Sequence, residues 1–124
     1  MADEAYRELL QLVDGRAGDA FRAMVTYDED DWTVHYVRDE LATDELQRVL
    51  SDLVDRARHD ETIVPESVYG GMGDEQASVE LHSEAVLLHI TGNEGDSVLI
   101  SLDREVAQGL GRFVTQCLSV VDDG

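Results

Sequence analysis

The chain has no lysine, one cysteine, one proline and no apolar run longer than the four residues from Ala85 to Leu88. Each scarcity excludes something. A helix needs about 20 mostly apolar residues to cross a bilayer, so no segment reads as a membrane span. The lone Cys117 cannot build a disulfide framework; a single thiol fits a reducing interior and fits equally a small apolar filler. No repeat or low-complexity tract divides the 124 residues. Their number suits one domain over residues 1–124, with frayed ends expected at 1–2 and 122–124.

Without lysine, all nine cations are arginine, set against 28 acids for a formal net charge of −19 and a pI near 4.2. The acids run from Asp3 to Asp123 and do not gather into a tail. Leu, Ile, Val and Phe still make up more than a quarter of the chain, enough apolar mass for a folded core despite the charge. An evenly acidic, lysine-free surface with many valines and few isoleucines resembles the cytoplasmic proteome of extremely halophilic archaea. Screening explains how such a surface is tolerated: at 1 M salt the Debye length is ~3 Å, so carboxylates hardly repel one another. In dilute buffer the same charge destabilises the compact state. It also argues against a nucleic-acid backbone as partner in ordinary salt. The first residues, Met1-Ala-Asp-Glu-Ala5, have no basic region and no apolar stretch behind them, unlike a signal peptide, so a cytoplasmic location is expected.

Hydrophobic periodicity predicts the elements. Ala5, Leu9, Leu12 and Val13 mark a helix over about 3–14, with Gly15 at its C-cap. Two strands follow: Phe21 to Tyr27, with Phe21, Ala23, Val25 and Tyr27 on one face, and Trp32 to Arg38, with Trp32, Val34 and Tyr36 on one face. The acidic stretch from Asp28 to Asp31 is the turn between them. Thr43 is a good N-cap for a second helix reaching about residue 59, whose stripe is Leu46, Val49, Leu50, Leu53, Val54 and Ala57. Residues 60–74, with Pro65 and the glycines 70, 71 and 73, read as a long loop. Three more strands are expected over Gln76–His82, Ala85–Thr91 and Ser97–Leu102, with a polar turn from Gly92 to Asp96 between the last two. Asp103 is placed to cap a final helix with the stripe Val106, Leu110, Phe113, Val114, Cys117, Leu118 and Val121. Gly109 and Gly111 each cost that helix about 1 kcal/mol relative to alanine, offset if the helix packs closely on the sheet.

The order α-β-β-α-β-β-β-α specifies an α+β domain, one antiparallel five-stranded sheet with helices packed on it. It resembles the roadblock / dynein-light-chain fold and, more loosely, longin and profilin-like domains. The stretch Tyr27-Asp-Glu-Asp-Asp-Trp32, followed by Tyr36-Val-Arg38-Asp-Glu-Leu41, resembles a family of small uncharacterised haloarchaeal proteins. The roadblock likeness implies a dimer paired through the second helix and an edge strand, and surfaces that serve as scaffolds or as regulators of small GTPases.

No catalytic constellation emerges. The Gly70–Gly73 run lacks the Lys-Ser/Thr ending and the following helix of a phosphate loop, and Gly15-Arg-Ala-Gly18 fails likewise. His82 and His89 lie on adjacent strands near Glu80 and Glu84, but the spacing matches no metal-ligand motif. Asp28, Asp30 and Asp31 lack the turn glycine and distal glutamate of a calcium loop. Cys117 falls on an apolar stripe and reads as buried filler. Arg48, Arg56 and Arg58 form a basic spot whose simplest account is ion pairing with Asp44, Asp52, Asp55 and Asp60.

The expectation is therefore a non-enzymatic cytoplasmic interaction or regulatory module, a homodimer with a possible further protein partner. No cofactor, metal, membrane or nucleic acid is expected. Its interface candidates are Leu46, Val49, Leu50, Leu53 and Val54 on the second helix, with Val79 and Leu81 on the third strand. The alternative is a sensor holding a small molecule against the sheet near Trp32, Tyr36 and Tyr69.

Overall fold

The computed structural model describes residues 3–91 and 96–123. Its principal elements follow the expected order: α1 (Asp3–Ala17), β1 (Phe21–Tyr27), β2 (Trp32–Val37), α2 (Asp44–Arg58), β3 (Ser78–Leu81), β4 (Ala85–Thr91), β5 (Ser97–Asp103) and α3 (Gln108–Asp123). The strands form one open antiparallel sheet, β2-β1-β5-β4-β3, so β2 and β3 are its edges. Most of the turn expected at 92–96, and the ends expected to fray at 1–2 and 124, lie outside the described residues. Asp122 and Asp123 belong to the last turn of α3.

Local chemistry accounts for most boundaries. α1 runs through Gly15 and stops before Gly18, whose φ of +54° is left-handed backbone that glycine adopts without strain. The N-cap of α2 is as expected: the Thr43 hydroxyl accepts the Leu46 N–H at 3.2 Å. In the β1–β2 turn, the Asp28 carboxylate accepts the N–H groups of Asp30 and Asp31, each at 2.8 Å. Those bonds hold its carboxyl below the usual carboxylate range. Arg58, at the end of α2, donates to the carbonyls of Asp28 and Asp31 and lies over the Tyr27 ring.

Two β-bulges decide which side chains face which helix. Between Phe21 and Ala23 the partners on β5 step only from Leu102 to Ser101, which leaves Arg22 as the extra residue. Between Met24 and Val25 the partners on β2 step from Tyr36 to Val34, which leaves His35 over. Because side chains alternate with period two, each extra residue flips everything beyond it. Phe21 and Met24 thus join Val98, Ile100 and Leu102 under α1, where Tyr6, Leu9, Leu10 and Val13 cover them. Val25 and Tyr27 face α2 instead and pack with Leu50 and Val54. The single faces expected for β1 and β2 are both split. Tyr36 packs on Phe21 with ring centroids 4.4 Å apart, whereas Trp32 pairs with Tyr27 on the other face.

The largest departure from expectation is α3. Its apolar stripe exists, but among the described residues most of it is uncovered: Phe113 is 62% exposed and Leu118 50%, Leu110 and Val121 are also exposed, and Val114 is half-buried. Cys117 is exposed too, which corrects its reading as core filler. The substantial packing of α3 is against the 3-10 turn Arg104–Ala107 that precedes it. Arg104 sets that geometry. Its guanidinium donates to the carbonyl of His82 in the β3–β4 turn, to the Gly111 carbonyl and to the Thr115 hydroxyl. Gly111 therefore answers to Arg104, whose Nε would stand 3.4 Å from an added Cβ, and not to the sheet. Asp103 makes no side-chain cap, because Arg22 and Arg38 hold its carboxylate.

Candidate interaction groove

α2 lies over β1 and β5 through Val25, Tyr27 and Leu99. On this face β4 and β3 carry no helix. Two strands at ~4.8 Å spacing span ~10 Å, close to the diameter of one helix. The chain from Asp60 to Ala77 borders the open side, and the result is a groove of about 1310 Å³. Its floor includes Leu87, His89 and Leu99, and its α2 wall includes Val49 and Leu53. The far border brings Ile63 and Met72, both exposed.

The interface candidates divide between different surroundings. Leu50 and Val54 are buried between α2 and the sheet, and Leu46 is half-buried beside them. Val49 and Leu53, 40% and 44% exposed, form the flank that α2 offers to the groove. Val79 and Leu81 pair with Leu88 and Val86, and Leu88 packs with the core under α1. They therefore belong to the opposite face, and the structure does not bring them to the α2 surface. Sequence reasoning missed Leu87, His89 and Leu99. Their signal was alternation, since each occupies the strand positions opposite the stronger stripes of Val86, Leu88, Ile90 and Val98, Ile100, Leu102.

One polar chain runs along the groove. The buried Tyr27 hydroxyl bonds to His89 Nε2, and His89 Nδ1 lies 3.5 Å from Asp60. Each ring nitrogen can donate or accept, so the imidazole bridges the hydroxyl and the carboxylate. This chain links β1, β4 and the border of the groove, and it gives the tyrosine the partner a buried hydroxyl needs. Ser78, opposite His89 in the register, turns its hydroxyl to Glu75 at 3.2 Å and not to the imidazole. No nucleophile–base pair is thereby formed at this position.

Carboxylates dominate the rim, with Glu45, Asp60, Glu61, Asp74, Glu75 and Glu80 against Arg22 and Arg56. In the border chain a hydrogen bond with Asp74 holds the Glu66 carboxyl above its usual range.

The remaining candidates do not converge. His82 bonds Glu80 at 2.9 Å beside the β3–β4 turn, while His89 lies toward the other end of β4. Among the described residues no group of three or more His, Cys, Asp or Glu is placed to hold a metal ion. Arg56 pairs with Asp52 at 3.0 Å and Arg58 with Asp55 at 2.8 Å, as helical spacing suggests. Trp32 and Tyr36 occupy opposite faces of the sheet, and Tyr69 is exposed in the long connection. The three do not line a common pocket.

Comparison with family models matches residues 7–122 to DUF7522, a domain of unknown function, and the chain belongs to that family. The comparisons with curated proteins and with solved structures found no match. Among the described residues, no helix is long and apolar enough to cross a membrane.

Proposed function

We propose that the protein is a non-enzymatic interaction module of a halophilic cytoplasm and works as a homodimer through the α2 groove. One observation carries the reading. α2 buries Leu50 and Val54 beneath it yet leaves Val49 and Leu53 uncovered beside a floor about one helix wide that includes Leu87 and Leu99. An exposed apolar patch with a polar rim marks an interaction site. The acidic, lysine-free composition supports the saline setting, and in molar salt the repulsion between two chains of charge −19 is screened beyond ~3 Å. The element order, with its likeness to roadblock dimers paired near the second helix, points the same way.

Light scattering in about 3 M KCl tests this. A species of twice 13.8 kDa is expected. Val49→Glu with Leu53→Glu is expected to give a folded monomer, because both side chains are exposed and neither supports the core. A wild-type monomer from micromolar to millimolar protein overturns the proposal.

A further inference from the structure

Among the described residues two surfaces with exposed apolar side chains lack a partner, the α2 groove and the stripe of α3. We infer that they cover each other between two copies of the chain: α3 of each copy docks in the groove of the other. The inference rests on the homodimer reading above and names the contact that makes it.

The first argument is charge. Residues 106–121 contain no acid, whereas the next longest acid-free stretch, 85–93, has nine residues. In a chain of charge −19, α3 is the helix that avoids carboxylates until its last two residues. α1 or α2 in that position would set its own acids against the carboxylates of the rim. Burying them would also strip their water, a cost that salt does not remove. Ahead of those two aspartates α3 brings one charge, Arg112, at a helical position opposite the apolar stripe.

Dimensions agree. The sixteen residues of α3 extend ~24 Å, and α2, which forms one wall of the groove, extends ~22 Å with fifteen. The two bare strands give the width of one helix. Leu110, Phe113, Cys117 and Val121 lie on one side of α3 at helical spacing and supply the side chains to fill it.

The clamp decides whose helix it is. Arg104 ties Gly111 and Thr115 to the carbonyl of His82, fixing the early turns of α3 at one edge and leaving the stripe free. A return of α3 into its own groove would break those bonds. A second copy needs no such change, and reciprocal docking closes as a two-fold dimer.

Cys117 makes the contact testable. In the variant Val49→Cys, held in about 3 M KCl, mild oxidation followed by peptide mapping should find an intermolecular bond between Cys117 and the introduced thiol. Phe113→Glu should raise the dimer dissociation constant about a hundredfold with an unchanged circular dichroism spectrum. Linkage only between like positions, linkage within one chain, or assembly that grows past the dimer overturns the inference. A dimer that survives Phe113→Glu but is split by Val49→Glu with Leu53→Glu overturns docking by α3 and leaves the homodimer standing. A wild-type monomer ends both.

Discussion

Arg38 grips both carboxylate oxygens of Asp103, at 2.9 and 3.1 Å, and so joins the chain just past β2 to the end of β5 across the intervening β1. Arg22, the extra residue of the first bulge, adds a bond to the same carboxylate at 3.3 Å. The bulge therefore does more than turn Phe21 toward α1, since it also brings a second guanidinium to Asp103.

Stability should fall in acid through this cluster. The bonds from Arg38, foremost, hold the Asp103 carboxyl below its usual range. An unfolded Asp103 therefore takes up a proton more readily than the folded one, and its contribution, present above the unfolded value of ~3.9, is lost as pH falls through the folded value. Asp103→Asn is expected to lower the melting temperature at neutral pH, with the gap to wild type narrowing below about pH 4. A gap that stays constant to the end of the acid limb would show that the ionised carboxylate contributes nothing.

The helix cap gives a second, local test. Thr43→Ala removes the acceptor for the Leu46 N–H and should destabilise the fold by about 1 kcal/mol in denaturant titrations. Thr43→Ser keeps an oxygen there and should stay near wild type.

The contrast between the core under α1 and the stripe of α3 gives a third. Met24 is fully buried, and Met24→Ala should cost about 2–5 kcal/mol. Phe113→Ala removes a larger side chain, yet in a dilute monomer it should change stability by no more than about 0.5 kcal/mol. Equal losses at the two sites would mean that α3 is packed on its own sheet.

Salt dependence follows from charge alone. Circular dichroism below about 0.2 M NaCl should show loss of structure relative to about 3 M, as the Debye length grows and carboxylate repulsion returns. An unchanged spectrum and melting temperature across that range would contradict a halophilic origin.

The sequence by itself determined the element order and the class of the fold. Periods of 2 and 3.6 are properties of neighbouring residues, and so is the cap at Thr43, which is why α2 was legible almost to the residue. Tertiary structure alone decided the faces. One extra residue at Arg22 and another at His35 reassigned Phe21 and Tyr36, and a bulge leaves little trace in alternation because it appears only when a partner strand is laid alongside. The groove was equally hidden, since its floor of Leu87, His89 and Leu99 forms only when β5 lies between β1 and β4. The fate of α3 was hidden for the same reason. An apolar stripe states that a helix has something to bury, but what covers it depends on geometry set far away in sequence, here the reach of Arg104 to His82.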